Sequence, residues 1–114
     1  MTRMVYHMCR ADAWKAALRE GVYRGSPQDL ADGFIHFSTA EQVAESARRH
    51  RAGESGIVLV AVEDTTLGTR LRWEPARNGD LFPHLYGPLD PTEAASVHPL
   101  PLGPDGLHQF PALT

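Results

Sequence analysis

The stretch Ile57-Val58-Leu59-Val60-Ala61-Val62, bounded by Gly56 and by Glu63-Asp64, constrains this chain more than any other. A strand with one wet face alternates polar and apolar residues. This run has no alternation and is rich in β-branched residues, so it predicts a strand buried on both faces, the core strand of the fold. With 114 residues the chain has room for one compact domain, 1–114, and none for a second. Hydrophobic residues at 42% and charged residues at 22% match ordinary soluble domains, which sets aside disordered, collagen-like and coiled-coil readings.

The flanking segments are shorter. Met4 to Cys9 is rich in strand formers and predicts a first, central strand. Asp12 to Glu20 spaces Trp14, Ala17 and Leu18 along one helical face and ends before Gly21. Val22-Tyr23-Arg24 is extended, and Ser26-Pro27 with Asp29 at the third position starts a short helix that stops at Gly33. Gly33-Phe34-Ile35-His36-Phe37-Ser38-Thr39 predicts a strand with His36 in its middle, Phe34 and Ser38 sharing its face, and Ile35 and Phe37 opposite. Capping-box spacing at Ser38/Glu41 or Thr39/Gln42 predicts a helix running towards Arg51, with Val43, Ala44 and Ala47 inward and Gly53 closing it.

Beyond the core strand, turn formers dominate. Leu71 to Glu74 predicts a short strand and Asn78-Gly79-Asp80 a turn. Phe82 to Leu89 is an extended piece in which Pro83 argues for a sheet edge or loop entry. A last strand falls near Ser96 to Leu100, and 103–114 reads as an irregular tail. Helices and strands in this order predict an α+β fold, not an alternating nucleotide-binding Rossmann series, and no G-x-G-x-x-G occurs.

A formal charge of -3, from 11 basic and 14 acidic residues, offers no surplus for gripping nucleic-acid phosphates or an anionic membrane. Nucleic acid is disfavoured as a partner. The single cysteine, Cys9, can form neither an internal disulfide nor a C-x-x-C pair. No signal-peptide core or membrane-length apolar run is present, so the expected location is cytoplasmic.

Of six histidines, His7, His36 and His84 lie in or beside expected strands and are the candidate catalytic residues. Each taken alone reads better as a satisfied, half-buried imidazole bonded to a backbone carbonyl. Neutral imidazole supplies one donor and one acceptor and changes charge near neutral pH, so their convergence on one sheet face would make a site. Their spacing lacks the short His pairs of metal-binding helices, and no metal is expected. Trp73 and Tyr86 are candidate walls for a flat ring, and Glu74 a candidate sugar-binding group or base. The alternative is a core Trp and a solvated Glu. Ser38 joins them as a substrate-binding candidate, although helix capping explains it and no nucleophile elbow surrounds it. Cys9 shares a strand face with His7 but reads better as a small buried hydrophobe. Arg48-Arg49-His50-Arg51 reads as the solvated, dipole-compensating end of a helix.

The series Val5-Tyr6-His7, Trp14, Gly21-x-Tyr23, Gly33-Phe34-Ile35-His36-x-Ser38-Thr39, Leu71-x-Trp73-Glu74 and Phe82-Pro83-His84-Leu85-Tyr86-Gly87-Pro88-Leu89 resembles the domain of unknown function 952 family over about residues 4–100. That family is similar in turn to the ADP-ribosyltransferase fold, two packed sheets flanked by two or three helices around an NAD cleft. The resemblance implies NAD or a related phosphorylated nucleotide as substrate, with transfer or hydrolysis as the reaction. A module that binds without turnover is the alternative. By strand order His7 takes the ribose-bonding position and His36 the position that stacks on nicotinamide, as in the RNA 2'-phosphotransferase branch. The third position stays open: His84 or Tyr86 fits by order, Glu74 by residue type.

Overall fold

The computed structural model describes residues 2–113. Among them, six strands form two antiparallel three-stranded sheets accompanied by four helices, a mixed α+β domain. The first sheet has the order β1 (Met4–Arg10), β3 (Ile57–Glu63), β6 (Ala94–Pro99). The second has the order β2 (Ile35–His36), β5 (Leu81–Leu85), β4 (Leu71–Pro75). The helices are α1 (Ala11–Glu20), α2 (Pro27–Asp32), α3 (Val43–His50) and α4 (Asp64–Leu67).

The apolar run fulfils its expectation. β3 is the middle strand, and its side chains alternate between two cores. Val58, Val60 and Val62 pack with Val5 and Cys9 of β1 against Ile35, Leu71 and Leu85 of the second sheet, with Trp14 of α1 and Tyr23 closing the side. Ile57, Leu59 and Ala61 pack with Tyr6 against Val43 of α3, Leu100, Phe110 and Leu113. The tail is irregular as expected, yet those last two side chains dock it on the sheet.

Several expectations need correction. β1 is not central: β3, buried on both faces, takes the middle, and the other edge of β1 is closed by a bridge in which Tyr6 and Ser38 exchange two N–H···O=C bonds of 2.8 Å. That bridge ties the sheets together. It also explains why the Gly33–Thr39 strand reduces to Ile35–His36, with His36 at its end, since Ser38 is drawn to β1. Leu18 is 57% exposed because α1 buries only the Trp14–Ala17 stripe. α3 starts at Val43, after a turn in which Gln42 Oε1 accepts from the Thr39 N–H at 3.0 Å, and Ser46 faces inward where Ala44 was expected. The one-turn helix α4, which drops Leu67 into the core, had no periodic signal to reveal it.

Pro83 sits in the middle strand of its sheet rather than at an edge. Its carbonyl accepts from the Phe37 N–H at 3.0 Å, beyond the end of the two-residue β2. A strand residue points N–H and C=O to the same side, so the missing N–H falls where the β2 ladder has already ended. No described helix is long and apolar enough to cross a membrane.

Candidate functional site

Because Ile35 and Leu85 point into the core, their neighbours His36 and His84 face outward, paired directly across β2 and β5 with ring centroids 5.7 Å apart. Phe34 lies over this pair, stacked on His84 at 4.0 Å and 4.6 Å from His36. The face borders a cleft of about 630 Å³ between the second sheet, α2 and the end of α3. His7, His36, Ser38 and His84 line it, so four of the seven candidate residues are brought together. Trp73 is not: odd-numbered positions of β4 point inward, and it packs on the core beneath the Arg3 guanidinium. Glu74 and Tyr86 do not line the cleft either, but Glu74 holds His84 and Tyr86 holds Glu74. Glu74 Oε1 accepts from His84 Nδ1 at 2.7 Å and from the Tyr86 hydroxyl at 2.8 Å.

The organising group is Asp29, which sequence reasoning placed only as a helix-capping residue. Ser26 and Asp29 form the expected capping box: the Ser26 N–H donates to Asp29 Oδ2 at 2.7 Å while Ser26 Oγ accepts from the Asp29 N–H. The other carboxylate oxygen accepts from the His36 N–H at 3.0 Å and from His36 Nδ1 at 2.5 Å. Burial would raise the pKa of this carboxyl, which is 3% exposed, but the His36 imidazole, the nearby His7 and the two backbone N–H groups outweigh it and hold it at about 2. The turn depends on Gly25, whose φ of 106° and 2.6 Å approach of a built Cβ to Asp29 Cβ exclude any side chain.

The three histidines have different chemical prospects. His7 is buried and uses both nitrogens internally, one with the His36 carbonyl at 2.6 Å and one with the Tyr23 hydroxyl at 2.7 Å. Desolvation depresses its pKa against the pull of Asp29, so it is a neutral strut. His36 has Nδ1 on Asp29 and Nε2 on Asp32 at 3.0 Å, and its bond to Asp29 raises its pKa. It is an imidazolium anchored at both nitrogens by carboxylates. His84 alone keeps a nitrogen: Nδ1 is on Glu74, and Nε2 has no partner among the described residues. No buried side-chain nitrogen or oxygen lacks a partner among those residues, so Nε2 opens on the cleft.

Ser38 Oγ meets Ser46 Oγ at 3.2 Å. Cys9 is sealed in the core with its thiol pushed up to about 11, first by desolvation, which fits the small-hydrophobe reading. Among the described residues no three acidic, Cys or His side chains are placed to hold a metal. Besides Asp29, sequence reasoning missed Asp32, Phe34, His50 and Arg51 as site residues. Phe34 had a signal, since it was placed on the His36 face. His50 and Arg51 were read as a solvated helix end, yet both line the cleft, because Arg51 lies past the last turn of α3 and bends back to the β1 backbone.

A crystal structure of protein CC0527 from Caulobacter crescentus matches with 43% identity, 93% of each chain covered and a TM-score of 0.90. The solution NMR structure of CC0527 matches at 43% identity over 93% of this chain and 91% of that one, with a TM-score of 0.85. No curated protein matches the chain. The sequence model of the family described as Protein of unknown function (DUF952) matches residues 8–97. Spanning most of the chain, including α1, α2, β2 and the His84 segment, that match shows that the protein belongs to the DUF952 family.

Proposed function

We propose that the cleft binds a phosphorylated nucleotide of the NAD type and transfers or hydrolyses it, with His84 moving the proton. One observation carries this reading: of the three candidate histidines His7, His36 and His84, only His84 has an open ring nitrogen, and Glu74 fixes the proton on the other. In the neutral form Nε2 accepts a proton from an attacking hydroxyl or water, and Glu74 then stabilises the imidazolium; in the reverse sense that imidazolium protonates a leaving group. The volume of about 630 Å³ lies within the roughly 300–1,000 Å³ of small-molecule sites. Asp29, Asp32 and protonated His36 together carry net negative charge, which favours positive charge developing at a ribose carbon during loss of nicotinamide. His84, Tyr86 and Glu74, the alternatives for the third position of the ADP-ribosyltransferase pattern, are joined in one hydrogen-bonded unit, which supports reading them together as that position. We take the two-sheet architecture as support for a relationship to that fold.

Binding without turnover is the second reading, favoured by the commitment of Asp29 to internal donors, which keeps its carboxylate from touching a substrate. A proton NMR time course with NAD separates the two. The expected result is NAD line broadening with release of free nicotinamide, abolished in His84→Gln and reduced in His36→Ala. Broadening alone establishes the binding module. Neither signal at millimolar NAD refutes the nucleotide assignment.

A further inference from the structure

The basic stretch at the end of α3 divides in two in the folded chain. Arg48 and Arg49 are exposed and pair along the helix with Glu45 at 3.2 and 3.5 Å. Arg51 turns inward: its Nη2 donates to the Met8 carbonyl at 3.2 Å and its Nη1 to Glu54 at 3.3 Å. Arg51, His50 and the buried hydroxyls of Ser38 and Ser46 line the cleft that His84 also borders. The carboxylates lining the cleft, Asp29 and Asp32, both belong to α2 and are both bound to His36.

We infer that the wall made by Ser38, Ser46, His50 and Arg51 is the subsite for a phosphate or diphosphate group. The inference rests on the cleft being a nucleotide site and assigns which end takes the anion. Phosphate oxygens accept hydrogen bonds and carry negative charge. Guanidinium and hydroxyl groups donate to them, whereas a carboxylate would repel them; the wall presents these donors to the cleft, and Glu54, the carboxylate that pairs with Arg51, is not among the residues lining it. Two anchors fix the Arg51 guanidinium before any ligand arrives, so little side-chain entropy remains to be lost, and its fork holds further N–H groups for an anion. The cleft is thereby polarised, with a carboxylate-imidazolium end at α2 and an anion-accepting end at α3.

Phosphorus NMR and calorimetry with inorganic pyrophosphate, ADP and adenosine test this. Pyrophosphate and ADP are expected to bind and adenosine to bind far more weakly. Arg51→Gln is expected to weaken ADP by about tenfold or more, and Arg49→Gln, outside the cleft on the same helix, by less than about twofold. Equal weakening by both variants, or equal affinity for ADP and adenosine, overturns the subsite. Should Arg51→Gln fail to fold, the double variant Ser46→Ala/His50→Gln carries the same expectation. Pyrophosphate binding without NAD binding keeps the subsite and removes the nucleotide reading. NAD turnover with unchanged KM in Arg51→Gln keeps that reading and removes the subsite.

Discussion

Replacing Asp29 by Asn preserves the shape of the residue and removes its charge, so it isolates what the buried carboxylate contributes. Its pKa falls from the ordinary 3.8 to about 2 in the folded protein, and at about 1.4 kcal/mol per unit ionised Asp29 supplies about 2 kcal/mol of stability at neutral pH. The substituted amide has one acceptor oxygen, enough for the His36 N–H, but it turns its NH2 on the Ser26 N–H and cannot support a charged His36, so the loss should reach at least that whole amount. For a chain of this length, about 2 kcal/mol corresponds to a fall in Tm of roughly 6–12 °C. The sign with pH is fixed. A depressed carboxylate stabilises above its unfolded pKa and loses that contribution as pH falls from about 4 towards 2. Urea unfolding of wild type and Asp29→Asn at pH 7 and pH 3 checks both parts: a gap of about 2 kcal/mol at pH 7 should shrink substantially at pH 3. A gap below about 0.5 kcal/mol at pH 7, or one equally large at the lower pH, refutes the electrostatic account and leaves Asp29 as a helix cap of ordinary size.

Gly25→Ala should cost more than about 2 kcal/mol by thermal or urea unfolding, because the new methyl meets Asp29 Cβ at 2.6 Å and the backbone φ is 106°; near-neutral stability would show that the α2 turn can shift freely. Histidine resonances should split about the ordinary 6.5, with His36 titrating above it and His7 below it. By linkage, the stability tied to His36 is full below 6.5 and lost as pH rises through its raised value, and that tied to neutral His7 is full above 6.5 and lost as pH falls. Coincident titration of the two rings near 6.5 would contradict the assigned bonding. Cys9, 1% exposed with its thiol near 11, should react with iodoacetamide only after unfolding, and rapid alkylation of the native protein would show that the first core opens.

Local chemistry settled a good part of this molecule in advance. The unbroken apolar run named β3 and its double burial, Ser26-Pro27-x-Asp29 named the α2 cap, and Gly21 and Gly33 named two helix ends, because each signal is complete within a few residues of chain. Alternation around Gly33-Phe34-Ile35-His36 correctly set His36 on the face opposite Ile35 and Phe37, the two that enter the core. What sequence could not supply was the result of distant segments meeting. Ser38 leaves its strand because Tyr6 offers it a pair of backbone bonds, and Pro83 survives in a middle strand because the neighbouring ladder is already over. The division of labour among His7, His36 and His84 is of the same kind. Identical side chains on similar strands become a neutral strut, a doubly anchored cation and an open nitrogen because Tyr23, Asp29 and Glu74 arrive from elsewhere in the chain. Arg51 turns from a solvated helix end into a cleft wall for the same reason: its neighbour Met8 is 43 residues away in sequence, and only folding brings that carbonyl within reach.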